Sequence, residues 1–409
     1  MMDPVGLENR YGAKNYAPMP VVLARGEGVY VWDNKGQRYL DLLGGYSAVS
    51  FGHCHPRLVR ALVEQAQRLD VTSRAFYNDK LGLFLARACQ LTGMDAALPM
   101  NTGAEAVETA LKAARKWAYK VKGVPHDKAE IIGAEGNFHG RTIAGTGLST
   151  VAQYRDGFGP FPPGLKVVPF GDAAALEAAI TPNTAAFLVE PIQGEGGIIV
   201  PPPGYFTAVQ KICRKHNVLL ICDEVQSGMG RTGRLLACQH EGIQPDALTL
   251  GKAVGGGLIP VSLFLARHDV MDVFNPGDHG STFGGNPIAA AVGLAAFDTL
   301  IDEGLIERSA ELGDYLMAEL KALRSPAIRE VRGRGLFVGI ELVPERANAH
   351  EVVSLLLEQQ HILSKETHRN TLRMAPPFVI TKAQIDDAVA GLAAVLADNP
   401  VALRPALVK

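Results

Sequence analysis

Lys252 sits in the stretch "DALTLGKAVGGGLIP", where it closes an apolar run and opens a glycine-rich one. At the carboxyl end of a buried strand, an amine can serve as a nucleophile or a base. Asp223 holds a matching place, directly after "VLLIC" and 29 residues before Lys252. Burying a carboxylate without a cationic partner is costly, so something positive is expected beside it. Two readings stay open. The pair forms a structural ion bridge, or the lysine makes a covalent imine while the aspartate neutralises a heterocyclic nitrogen.

Three further stretches supply what the second reading needs. In "MNTGAEAVETALKAARKWAYK", Asn101, Thr102 and Gly103 precede a strong helical pattern with Glu105 and Glu108 in its first turns. Free backbone N–H groups at such a helix start suit a phosphate; the alternative is a capped surface helix. No GxxxxGK[ST] stretch is present, so the phosphate is not that of a P-loop nucleotide. In "GNFHGRTIAG", Phe138 can stack on a flat ring and Arg141 can grip a carboxylate with two hydrogen bonds, with His139 between them. In "VEPIQGEGG", Glu190 and Glu195 lie at another strand end, where a carboxylate can cap a loop, bind an amine or hold an arginine in reserve. "FGHCHP" places His53, Cys54 and His55 together, but adjacent ligands do not share one tetrahedral ion easily, so a structural loop is expected and no metal. "GRGLFVG" has the wrong spacing for a dinucleotide loop and reads as a glycine-rich strand.

The elements that must position these residues follow from the apolar patterning. Short apolar runs at 129–135, 165–170, 185–192, 218–225, 247–251 and 261–266 alternate with helix-length segments, as in a mostly parallel sheet covered on both faces. Ligands in such α/β sheets bind at the carboxyl ends of the strands. Before them, "GVYVWDNKGQRYLDL" reads as a hairpin with its turn at Asp33 to Gly36. After them come long amphipathic helices, the strand-like "VRGRGLFVGIELV" and "TLRMAPP", and a final helix near 381–398. The expected organisation is an arm and hairpin over 1–46, a large domain over 47–292 and a smaller α+β domain over 293–409.

The 409 residues carry 40 basic and 42 acidic side chains, a balance that offers nothing to nucleic acid or an anionic membrane and leaves small molecules as partners. Five cysteines without a CxxC pair suit a reducing compartment, and the first residues show no apolar signal core, so a cytoplasmic protein is expected.

Taken together, "NTGAEAVETA", "NFHGR", "VEPIQGEGG", "ICDEVQSGMGRTG", "TLGKAVGGGLIPVS" and "HGSTFGGNPIAAA" resemble the pyridoxal-phosphate aminotransferases that act on ω-amino groups. The resemblance spans almost the whole chain. "YGAKNYAPMPVVLARGEGVYVWD", "GGYSAVSFGHCHP", "VTSRAFYND" and "DGFGPFPPG" are most similar to the branch acting on ornithine; the acetylornithine branch and other ω-amino-acid aminotransferases are the alternative. The resemblance implies an α/β fold of type I, with a large, mostly parallel seven-stranded sheet domain and a smaller α+β C-terminal domain. It implies pyridoxal 5′-phosphate held covalently by Lys252, with Asp223 on the ring nitrogen. Phe138 and Val225 would cover the ring faces, Gln226 would bond the ring hydroxyl, and Thr102, Gly103 and Ala104 would surround the phosphate. Thr282 would reach the phosphate of a neighbouring subunit in a homodimer with shared sites. For substrate, Tyr16 and Tyr46 would shape the ornithine pocket, Arg141 would bind the α-carboxylate, and Glu195 would mask Arg373 until a dicarboxylic acid such as 2-oxoglutarate arrives. The implied role is ornithine δ-amino transfer in proline and arginine metabolism.

Overall fold

The computed structural model describes residues 3–397. Its central sheet has seven strands in the order Ala96–Met100, Ser262–Ala266, Ala247–Leu250, Leu219–Asp223, Thr184–Val189, Glu130–Ala134, Leu165–Val168. Only Ser262–Ala266 runs against its neighbours; the other pairings are parallel. Six of these strands match the expected apolar runs, with their ends drawn in by a few residues. Ala96–Met100 was not expected, because "AALPM" is poor in the branched and aromatic residues that mark strands. It sits at the sheet edge, where Pro99 is tolerated.

Both faces of the sheet are covered, and the side chains divide between them at a period of two. Phe187, Val189, Leu220 and Cys222 enter one core, while Ala186, Leu188, Leu219 and Ile221 enter the other. The helix Gly103–Trp117 fills the second core with Val107, Ala110, Leu111 and Ala114. The helix Pro287–Asp302 lies in the first and buries ten of its sixteen residues, so it is apolar nearly all round rather than amphipathic as expected. The cause is its position against the helices Pro56–Ala66, Leu81–Thr92 and Leu305–Ala322, which leave it little solvent face. The expected boundary at 292/293 falls inside this continuous helix.

The N-terminal hairpin pairs Tyr30–Asp33 with Arg38–Asp41, and Asp33 Oδ1 fixes its turn by accepting from Lys35 N at 2.9 Å and Gln37 N at 2.8 Å. Leu23–Glu27 joins one edge, and the late segment Ile362–Leu363 joins the other in parallel, tying the arm to the C-terminal part. A third sheet is antiparallel, in the order Ile328–Arg334, Phe337–Leu342, Thr371–Met374, Lys365–Thr367. Within "GRGLFVG", Gly335, at φ +53°, lies in the turn between this sheet's first two strands, while Gly333 and Gly339 are paired within them. Among the described residues, no helix is long and apolar enough to cross a membrane.

Candidate active site

Lys252, Asp223, Glu190 and the 136–141 loop all lie at or just past the carboxyl ends of parallel strands, where such sheets bind ligands. They meet in a cavity of about 280 Å³ lined by Gly103, Ala104, Val107, Phe138, His139, Gly140, Glu190, Asp223, Val225, Gln226 and Lys252. Lys252 opens the single turn Lys252–Gly255 with φ +47°, a left-handed conformation that a side chain rarely adopts. Such strain costs on the order of 1–3 kcal/mol and is held by the surrounding fold at functional sites.

Burial is the main force on the Lys252 amine, and the nearby Arg373 charge adds to it; together they lower its pKa from 10.5 to about 8. No carboxylate lies within ion-pair distance of Lys252 among the described residues, so the structural-bridge reading fails. Instead, the group that meets buried Asp223 is the His139 imidazole, whose Nδ1 is 2.7 Å from Asp223 Oδ2. Asp223 Oδ1 accepts from Thr249 Oγ1 at 2.9 Å and Val225 N at 3.2 Å. Burial alone would depress the imidazole, but the hydrogen bond and charge of Asp223, aided by Glu190, raise its pKa above the ordinary histidine value.

The helix Gly103–Trp117 begins with a capping box: Thr102 Oγ1 accepts from Glu105 N, and the Glu105 carboxylate accepts from Thr102 N at 2.7 Å. Those bonds leave the amides of Gly103 and Ala104 without an intrahelical acceptor. Residue 103 must be glycine, because a Cβ there would lie 2.7 Å from Val225 Cγ1. Glu190 joins two loops: Oε2 accepts from Phe138 N at 2.9 Å and Oε1 from Gly194 N at 3.1 Å. Burial pushes its pKa up to about 7, with His139 opposing and Asp223 reinforcing the rise.

The two arginines are in opposite states. Arg373, in the strand Thr371–Met374, is fully buried; its Nη1 donates to Glu195 Oε1 at 2.6 Å and its Nη2 donates to Gln226 Oε1. Burial works against the Glu195 charge, but Arg373 outweighs it and holds the carboxyl below its usual range. Arg141 is exposed at the mouth, and no carboxylate pairs with it among the described residues. The Tyr46 ring stands 5.1 Å from Arg373 Cζ and 5.9 Å from Lys252 Nζ. It is presented by four consecutive left-handed residues, Gly44, Gly45, Tyr46 and Ser47, which explains two glycines in "GGYS". Tyr16 is 79% exposed, and Thr282 is exposed too; neither lines the cavity. The pairing of His139 with Asp223 and the bridging by Glu190 were not legible beforehand. His53 bonds Asp41 and His55 faces Glu303.

Pyridoxal 5′-phosphate fits this set of groups. A phosphate would meet the free helix-start amides at Gly103, an apolar ring would meet Phe138 and Val225, a ring nitrogen would find the buried Asp223, and an aldehyde would find an amine that loses its proton near pH 8. The cavity volume is close to the lower end, about 300 Å³, of small-molecule sites.

A lysine strained and desolvated at a strand end, an aspartate braced by histidine and a helix-start anion cradle together define an amino-group-transferring enzyme of the pyridoxal-phosphate type. The profile of the family "Aminotransferase class-III" matches residues 11–396. An ornithine aminotransferase of Geobacillus sp. is 55% identical over 94% of this chain and 96% of its own. One from Exiguobacterium sp. is 54% identical over 97% and 98%. Among solved structures, the ornithine aminotransferase of Toxoplasma gondii superposes with TM-score 0.94 at 46% identity, covering 96% of this chain and 94% of that one. The acetylornithine aminotransferase of Elizabethkingia anophelis superposes with TM-score 0.87 at 47% identity, covering 97% and 98%. The chain belongs to the class-III aminotransferases, enzymes dependent on pyridoxal phosphate.

Proposed function

We propose that the enzyme transfers the δ-amino group of L-ornithine to a 2-oxo acid, chiefly 2-oxoglutarate, giving glutamate 5-semialdehyde and glutamate. The observation that carries this reading is the asymmetry of the two arginines. Arg141 offers an unpaired guanidinium to a substrate with one carboxylate, while Arg373 is neutralised by Glu195. A dicarboxylic acid needs both, and displacing Glu195 from Arg373 would supply the second. The curated relatives named above as ornithine aminotransferases support the same substrate.

Bound pyridoxal phosphate supplies an aldehyde for the amine and a ring that accepts electrons from the substrate carbon. Lys252 Nζ, neutral above about pH 8, would take the proton from the δ-carbon and deliver it to the carbon that carried the aldehyde, and would run the same transfer in reverse onto the 2-oxo acid's carbon in the second half-reaction. Asp223, braced by His139, would hold a proton on the ring nitrogen. Phe138 and Val225 keep water from the ring faces, and Gly103 and Ala104 hold the phosphate. Tyr46 fills the space between Arg373 and Lys252 and selects at the α-amino end, with Tyr16 completing that end.

The working unit is a homodimer in which Thr282 reaches the partner's phosphate. Exposed aromatic groups support this: Phe76 is 73%, Tyr77 103% and Phe283, next to Thr282, 56% exposed in the single chain. Five unpaired cysteines support a reducing, cytoplasmic setting. A second reading, N-acetylornithine as amino donor, draws on the Elizabethkingia anophelis structure. Product analysis tests the regiochemistry. Ornithine and 2-oxoglutarate are expected to give glutamate and glutamate 5-semialdehyde in equal amounts; the 2-oxo acid of ornithine as product would overturn δ-transfer.

A further inference from the structure

The Arg141 guanidinium stands over an aromatic ring outside the cavity. Its Cζ is 3.5 Å from the centroid of Tyr154 and 5.5 Å from that of Phe138, and the two rings meet edge to face at 81°. The cation is therefore held by two ring faces rather than by a carboxylate, which leaves its N–H donors unspent. Tyr154 is itself tethered. It belongs to the short helix Ala152–Arg155, and its Oη is 3.5 Å from His368 Nε2, with ring centroids 6.2 Å apart. His368 stands in the turn between the strands Lys365–Thr367 and Thr371–Met374. That hairpin carries Arg373, and its Thr367 Oγ1 donates to the Glu195 carbonyl at 2.5 Å.

We infer that Tyr154 is a positioning residue for carboxylate recognition: its ring fixes the plane of Arg141, and His368 references that plane to the hairpin holding Arg373 and Glu195. The inference rests on Arg141 binding the substrate carboxylate. A flexible arginine loses rotamer freedom each time it grips a ligand, whereas one already stacked presents its two-pronged edge in place. The spacing between the two carboxylate sites is then set by one hairpin, so substrate length is read against a fixed frame. Tyr154 acts only through Arg141, so its effect falls on substrates with a carboxylate at that end.

The test compares amine-side half-reactions of the holoenzyme with L-ornithine and with 1,4-diaminobutane, the same diamine without the carboxylate, as a ratio of rate constants over binding. Tyr154→Leu is expected to lower the ornithine-to-diamine ratio roughly threefold, the scale of an exposed cation–ring contact, while Tyr154→Phe keeps the stack and the ratio. The KM for 2-oxoglutarate is expected to rise in Tyr154→Leu more than kcat falls. Arg141→Gln should lose at least as much ratio, and adding Tyr154→Leu to it should remove little more, since the two act as a unit. If Tyr154→Leu slows both amines in proportion, its role is structural and the inference fails while the reading of Arg141 stands. If Arg141→Gln keeps the ratio, the reading of Arg141 fails and takes the inference with it. The diamine rate in each variant reports that the protein is folded and loaded.

Discussion

Replacing Lys252 with alanine is expected to abolish transamination, with a loss of roughly four orders of magnitude, the upper range for a group that moves the reacting proton. No other amine is placed to take over: Arg141 and Arg373 cannot deprotonate, and no second lysine lines the cavity. Reduction of wild-type holoenzyme with borohydride should fix the cofactor to the peptide containing Lys252, and the variant should carry no label there. The pH dependence has a definite sign. Because burial, then Arg373, lowers this amine from 10.5 to about 8, its nucleophilic neutral form is scarce below pH 8 and dominant above it. The rate at which cofactor-free enzyme takes up pyridoxal phosphate should therefore rise with pH through a midpoint near 8 and level off above it. A midpoint near 10.5, or undiminished turnover in Lys252→Ala, would contradict the role given to this residue.

Asp223→Asn should cost roughly two to three orders of magnitude in kcat, comparable to deleting one preorganised electrostatic partner from an active site. The substitution keeps the shape and the ability to accept from Thr249 and Val225 but removes the charge that holds a proton on the ring nitrogen. It also strips His139 of the main partner that raises its pKa, leaving only Glu190 to oppose burial, so the imidazole is depressed along with the loss of the charge at 223. Ring-protonation-sensitive absorbance of the bound cofactor would separate this from a fold defect. Normal kcat in Asp223→Asn, with an unchanged spectrum, would show that the pair is structural.

What the sequence revealed and what it hid divide along physical lines. Buried parallel strands such as Thr184–Val189 and Leu219–Asp223 show as unbroken apolar runs because both faces need covering, and their ends mark the site. Ala96–Met100 stayed hidden because an edge strand of alanine and proline draws its pairing from its neighbour, not from its own propensity. Lys252 and Asp223 stood out as charges ending apolar runs. His139 did not, since its partner is 84 residues away and only the folded sheet brings them within 2.7 Å. Tyr154 is near Arg141 in sequence, but only the folded loop places its ring under the guanidinium. The link between Glu195 and Arg373, 178 residues apart, came from resemblance alone; the sequence carries no local signal for it. The glycines at 44 and 45 were visible, but the left-handed turn they open continues through Tyr46 and Ser47, where residue type gives no warning.

The most direct test of the central claim is the amine-side half-reaction of the purified, cofactor-loaded protein without any oxo acid. L-ornithine, N-acetylornithine and 4-aminobutyrate are titrated in turn while the visible absorbance of the bound cofactor is followed. The expected result is bleaching by ornithine at far lower concentration than by the other two amines. Bleaching led by N-acetylornithine would leave the fold, the cofactor and Lys252 in place and contradict the ornithine assignment, together with the roles given to Tyr16, Tyr46 and Glu195.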